Sequence, residues 1–262
     1  MNLKEYVAKR IDKENEIIKN PRLRFDTLQS ADEIVSLYRT YDGMKRHMRA
    51  LSEDKVNEYF EQGYAFVGAY MDKELAGIAV SKQLPEEYPY FTLPKDAEKG
   101  VIHTLGGLYV RPDYQGFGIA SKLSGIITKG TEDYGKETGQ SVGMAYEIAY
   151  DNFGSLSILS KHGNYIGYYA DSKGDEGLTI LLYRPYTQDA IKVDKPNIVL
   201  TSSEQDSLTS LNDGIKYIAN QDQIGGMTET NLELDNGSIV TSLITNKTPL
   251  TIPEPTFEMI NG

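Results

Sequence analysis

The segment Leu108-Tyr-Val-Arg-Pro-Asp-Tyr-Gln-Gly-Phe-Gly-Ile-Ala-Ser-Lys-Leu123 carries the residue types of an anion cradle. An extended run reaches Pro112, which cannot donate to a strand ladder. The turn Gln115-Gly-Phe-Gly-Ile-Ala120 follows, and a helical pattern begins at once. Glycine lets backbone N–H groups approach a ligand closely. The first amides of a helix lack intrahelical partners and sit at the positive end of its dipole, so a pyrophosphate is the natural occupant. Arg111, Lys122 and Lys129 would add positive charge nearby. Two glycines alone would equally make a plain strand-to-helix turn.

Acid–base candidates are few. Cysteine is absent, which excludes a disulfide scaffold, a thiolate metal site and a cysteine nucleophile. Histidine occurs at 47, 103 and 162, scattered and without a carboxylate at ligand spacing, so no metal site is expected. His103 lies near the start of an extended run, and an imidazole has a pKa suited to relaying a proton through water. A structurally hydrogen-bonded histidine fits the same position. Glu147, in a later extended run, is the next candidate base. Tyr41, Asp42, Arg46 and His47 stand between two helical patterns, where a solvated connection is the plainer reading.

These residues must be held by a recognisable set of elements. Leu3, Val7, Ile11 and Ile18, flanked by Tyr6 and Ile17, recur at helical spacing, and Asn20-Pro21 stops the helix. Leu23 to Thr27 alternates as a strand. Ser30 and Glu33 have capping-box spacing and open a helix through Tyr41; Ser52 opens another, ending near Gly63. Tyr64–Tyr70 and Leu75–Ser81 form a hairpin across Met71-Asp-Lys-Glu74. A proline-bearing loop (Leu84 to Lys99) leads to a strand from Val101 to Val110. Ile119, Leu123, Ile126, Ile127 and Tyr134 line a helix ended by Gly139. Val142–Tyr150 reads as a strand and Asn152–His162 as a helix. Tyr165–Ala170 and Leu178–Arg184 make a last hairpin. Gly106-Gly107 reads as a β-bulge. Strands and helices alternate only after Val101, so a mixed sheet in an α/β domain is expected.

The 262 residues carry 27 Lys plus Arg against 38 Asp plus Glu, a net charge of −11. That excludes nonspecific nucleic-acid or anionic-membrane binding, since both need clustered cations. Tyr186 to Gly262 holds four Lys, no Arg and eleven acids, a net −7, leaving −4 to the first 185 residues. An anion site therefore belongs in the first 185. Beyond Pro185, Asn197–Thr201 looks extended, Glu204–Asn220 helical, and Asn231–Thr245 a hairpin around Asn236-Gly237. The expected organisation is an N-terminal helix (1–22), an α/β domain (23–185) and a small acidic α/β extension (186–262), which would cover an acceptor site or form a homodimer contact. The N-terminus lacks the apolar stretch of a secretory signal, and a cytoplasmic location is the expectation.

The central segment resembles the acyl-CoA N-acyltransferases of the GNAT superfamily. Their signature, Val-x-Pro-x-x-(Arg/Gln)-x-x-Gly-x-(Gly/Ala), is supplied by Val110, Pro112, Gln115, Gly118 and Ala120, and the element order matches from about Leu23 to Pro185. The resemblance implies a mixed, mostly antiparallel sheet flanked by helices, with its fourth and fifth strands splayed. It implies acetyl-CoA as co-substrate: pantetheine pairs with the open edge at Leu108, Tyr109 and Val110, and the Gln115 loop leads to amides of Gly116, Phe117, Gly118, Ile119, Ala120 and Ser121 on the pyrophosphate. The Val110 amide would donate to the thioester carbonyl, whose oxygen gains charge as the acceptor attacks.

The second half of the family signature corresponds to Asn152, Ser155, Ile158, Leu159 and Gly163. Asn152 and Ser155 fit the part that contacts pantetheine. Leu159 stands where the family puts the tyrosine that protonates the leaving thiolate, and Tyr165 and Tyr150 are the nearest substitutes. Leu105-Gly-Gly107 occupies the region of the family's strand glutamate, which leaves His103 and then Glu147 as candidate bases. The expectation is acetyl transfer to a primary amine of a small molecule or peptide by direct attack on the thioester. A non-catalytic acyl-CoA-binding or regulatory module is the alternative.

Overall fold

A computed structural model of the chain describes residues 2–40, 51–83, 91–92, 101–149, 152–159, 179–186, 192–193, 197–201, 227–233, 239–245 and 256–260. In chain order the elements are α1 (Leu3–Ile17), β1 (Leu23–Thr27), α2 (Ala31–Arg39), α3 (Glu53–Glu61), β2 (Ala65–Met71) and β3 (Glu74–Gln83). Then come β4 (Phe91–Thr92), β5 (Val101–Val110), a 3-10 turn (Pro112–Tyr114), α4 (Ile119–Thr138), β6 (Ser141–Ala149), α5 (Phe153–Leu159) and β7 (Thr179–Pro185). The remaining strands are β8 (Lys192–Val193), β9 (Asn197–Thr201), β10 (Met227–Glu233), β11 (Ile239–Thr245) and β12 (Thr256–Ile260). Two compact units result: Met1–Leu84 with Val101–Met144, and Pro85–Gly100 with Ala145–Gly262.

The first unit holds the sheet order β1-β2-β3-β5 and then the start of β6, up to Met144, antiparallel from β1 through β5. A 20-residue helix, α4, returns the chain from the end of β5 to the neighbouring β6, the crossover that makes two strands parallel. This is the mixed α/β sheet that the element pattern implied, mostly antiparallel as the family resemblance implied. Period-2 alternation gives β3 two apolar faces. Ile78 and Val80 join the core with Leu28, Ile34, Tyr38 and Phe66 under α2 and α3. Ser81, on the other face, meets Thr131 of α4 at 3.3 Å between hydroxyls.

α1 begins with a capping box: Asn2 Oδ1 accepts from the Glu5 amide (3.1 Å) and Glu5 Oε2 from the Asn2 amide (2.8 Å). It buries Leu3, Tyr6, Val7 and Ile11, whereas Ile17 is 68% exposed because the helix ends there. Gly130 lets α1 lie close on α4: a Cβ there would meet Val7 Cγ2 at 2.9 Å and Val7 Cα at 3.0 Å. Arg10 and Asp133 clasp the same pair of helices at 2.5 Å.

One local expectation needs correction. Ser30 is the N-cap of α2 but its side chain makes no cap bond. Glu33 instead accepts from the Tyr70 hydroxyl (2.6 Å), so a cross-element contact replaces the capping box. The Ser52 hydroxyl does cap α3, accepting from the Lys55 amide at 3.2 Å. In the β2–β3 turn, Asp72 and Lys73 take φ of 51° and 75° without glycine. Arg22 holds that turn through Nε to both Asp72 oxygens, at 2.8 and 2.7 Å.

In the second unit β9 pairs parallel with β12, β10 antiparallel with β11, and β4 antiparallel with β8. β7 neighbours β6. The short pair β4–β8 and strand β12 had no sequence signal. The expected strand Tyr165–Ala170, helix Glu204–Asn220 and turn Asn236-Gly237 lie outside the described residues, as do Tyr41, Asp42, Arg46, His47, Tyr150 and His162. Among the described residues no helix is long and apolar enough to cross a membrane.

Candidate active site

The chain leaves β5 at Val110 and is pinned by the Arg111 amide donating to the Ala76 carbonyl (2.8 Å). Pro112 starts the 3-10 turn, and the Gln115 amide donates to the Pro112 carbonyl (3.2 Å). The Gln115 side chain folds back, Nε2 donating to the Val110 carbonyl at 3.2 Å. This fixes the strand end and the loop to each other. Gly116 and Gly118 then take φ of 85° and 74°, a region that penalises side chains. A Cβ on either would meet nothing within 4 Å, so the space before them is open.

The α4 ladder starts with the Lys122 amide on the Gly118 carbonyl (3.2 Å). The amides of Ile119, Ala120 and Ser121 precede it, and no side chain caps this end. A 20-residue dipole thus points its positive end into an open, glycine-fronted space, with Phe117 61% exposed at the loop tip. The cations expected to assist are committed elsewhere. Arg111 lies 3.3 Å from Glu74 and 3.5 Å from Asp113 and stacks on Tyr114. Lys122 pairs with Glu14 of α1. Lys129 sits eleven residues up the helix from Gly118, about 16 Å away. Attraction for an anion therefore comes from backbone amides.

Upstream in β5 the expected bulge is present. Gly106 faces Val80 and Tyr109 faces Ile78, so Gly107 and Leu108 together oppose Ala79. Gly107 has φ of 58°. Gly106, Gly107 and Leu108 are half-buried, while Leu105, Tyr109 and Val110 around them are buried. The partly exposed stretch of this strand thus centres on Gly107 and shares Leu108 with the expected Leu108–Val110 edge. Over it lies Tyr38 of α2: its hydroxyl would be 2.9 Å from a Cβ on Gly107, and its ring stacks on Tyr109 with centroids 6.5 Å apart. Burial pushes the Tyr38 phenol above its ordinary pKa, so it stays protonated. The sequence reading passed over Tyr38. The available signal was a long polar-tipped residue on the inner stripe of α2 and a Gly-Gly pair on a strand beneath it.

His103 is brought to a different place. It is 5% exposed, faces Gln83 across the sheet and meets the Tyr134 ring edge-on at 6.1 Å. Seven residue steps along the strand lie between it and Val110, about 23 Å. Burial lowers its pKa from 6.5 to about 4. The unfolded chain therefore binds more protons between those values, and stability falls as pH drops through that window. About 2 kcal/mol should be lost between pH 7 and pH 5 on this account. Urea midpoints should record it, and His103→Gln should flatten the slope; an equal slope in the variant would assign it to other groups.

Glu147 lies on β6 in the second unit, where only its strand position is described. Asn152 and Ser155 belong to the same unit: Asn152 Oδ1 accepts from the Ser155 amide (3.1 Å), capping α5. Leu159 is 4% exposed and offers no proton. Tyr165 lies outside the described residues. Among the described residues no cluster of His, Asp or Glu has the makings of a metal site.

The chain is similar to an N-acetyltransferase from Staphylococcus aureus Mu50 (15% identity, 63% of this chain and 97% of that one, TM-score 0.47). It is also similar to an acetyltransferase of the GNAT family from Streptococcus pneumoniae (13%, 62% and 98%, 0.47). A third is Arabidopsis thaliana NAA60, in complex with acetyl-CoA (13%, 62% and 98%, 0.46). No curated protein matches. Residues 30–163, half of the chain and spanning α2 through the bulged strand, the glycine loop and α4, match the acetyltransferase (GNAT) family model, and the chain belongs to the GNAT acetyltransferase family.

Proposed function

We propose that this protein moves an acetyl group from acetyl-CoA to a primary amine of a small molecule or peptide, by direct attack on the thioester. The observation that carries the reading is the uncapped start of α4 behind Gly116 and Gly118, with open space in front and a bulged strand leading into it. In this reading the amides of Gly116 to Ser121 take the pyrophosphate. The pantetheine arm runs along β5 between the half-buried Gly106–Leu108 stretch and Val110, pairing with backbone as an added strand would. The Val110 amide donates to the thioester oxygen as it gains charge. Holding amine and thioester in contact supplies much of the rate, and no covalent enzyme intermediate is required. The net charge of −11 favours encounter with cationic acceptors.

A calorimetric titration with acetyl-CoA, followed by thiol release with polyamines, arylalkylamines and peptides bearing free N-termini, tests this. Micromolar binding and release with one of these classes is the expected result. Absence of binding would overturn the reading as a whole. Binding without release by any of the three classes would overturn amine transfer and leave a binding module.

A further inference from the structure

We propose that the Tyr38 hydroxyl donates a hydrogen bond to the sulfur of CoA and relays to it the proton that the acceptor amine sheds. The inference rests on the acetyl-CoA reading above and goes beyond it by naming the proton carrier. Three observations meet at one point. The hydroxyl reaches the backbone of β5 at Gly107, 2.9 Å from where a Cβ would stand. Gly107 and Leu108 form the bulge, and this is the stretch of β5 left half-buried between buried neighbours, so a ligand lying along the strand edge would pass beside the hydroxyl. Leu159, by contrast, has a buried side chain without a proton to give.

Packing places the ring. Tyr38 sits on the inner stripe of α2 with Ile34 and Leu37, its ring stacked on Tyr109 of the same strand as the bulge. Its hydroxyl takes no hydrogen bond from the described residues. In the reaction, the amine nitrogen attacks the thioester carbonyl carbon and a C–N bond forms. The C–S bond breaks and its electron pair stays on sulfur. Tyr38 O–H gives its proton to sulfur while the phenol oxygen takes the proton lost by nitrogen. The net change moves one hydrogen from nitrogen to sulfur, and no other reactant is needed. A phenol is a weaker acid than a thiol, so the two transfers must be coupled. Tyr38 is therefore a relay and not an independent acid.

The test uses free CoA and the Tyr38→Phe variant, which keeps the ring and its stacking. A donor to the thiolate lowers the pKa of the bound thiol. Ultraviolet titration of the bound thiol, with ligand-free protein as blank, should show it below that of free CoA in the wild type. Removing the donor should raise it by about one unit in Tyr38→Phe. With an acceptor from the amine panel, kcat should fall about 10- to 100-fold while KM for acetyl-CoA holds. A bound thiol that titrates at or above free CoA in the wild type, or the same in both proteins, overturns the relay and leaves the acetyl-CoA reading standing. Failure of CoA to bind the wild type overturns both.

Discussion

Gly118→Asp should bind acetyl-CoA at least about a hundredfold more weakly than the wild type, whereas Gly118→Asn should lose no more than about tenfold. The two side chains are nearly isosteric, and both are among the residues that tolerate the left-handed φ of 74° found here. A Cβ at this position meets nothing within 4 Å, so neither variant should disturb packing. They differ in one charge, placed where the Ile119, Ala120 and Ser121 amides are proposed to meet a pyrophosphate. That carboxylate competes for the amides and repels the ligand. Two like charges 4 Å apart near a protein surface cost about 4 kcal/mol, more than the roughly 2.7 kcal/mol that a hundredfold loss requires. The same carboxylate sits favourably at the helix N-terminus, so Gly118→Asp should unfold no lower than Gly118→Asn. Weak binding joined to undiminished stability would separate loss of the site from loss of the fold. Equal binding by the two variants, measured calorimetrically, would sink the assignment of this loop to the anion.

The parts of this site that were legible in the sequence are those set by neighbours in the chain. Pro112 ends β5, Gly118 opens α4 and Gly139 closes it, each through a backbone constraint confined to a few residues. The bulge, expected at Gly106-Gly107 and found one residue on at Gly107-Leu108, belongs to the same class. What failed was long-range. The loop sequence puts Lys122 beside the anion site but does not show its partner, Glu14, 108 residues away on a helix outside the matched family segment. Ser30 and Glu33 had the spacing of a capping box, but Tyr70, from a different element, claims the carboxylate. His103 looked available because an alternating strand does not reveal whether its second face is also covered. Here α4 covers it. Tyr38 is the same lesson reversed. Its part depends on which strand lies under α2, and only the sheet order supplies that.

The placement of Tyr38 can be tested without any ligand, through Gly107. Gly107→Ala should cost about 3 kcal/mol of stability from two separable sources. Alanine at a φ of 58° carries roughly 1–2 kcal/mol of backbone strain. Its methyl would also stand 2.9 Å from the Tyr38 oxygen and 3.2 Å from Val80 Cγ1, closer than packed atoms settle. Tyr38→Phe removes the oxygen and none of the strain. In the Tyr38→Phe background the same Gly107→Ala change should therefore cost about 1 kcal/mol less than in the wild type. Urea denaturation of the wild type, the two single variants and the double variant measures that coupling directly. Residues that share no contact give additive costs within about 0.3–0.5 kcal/mol. Additivity here would mean that the hydroxyl does not rest on the bulge. The proton relay would fall with it, since the proposed reach of the hydroxyl to a thioester on β5 depends on its resting at the bulge.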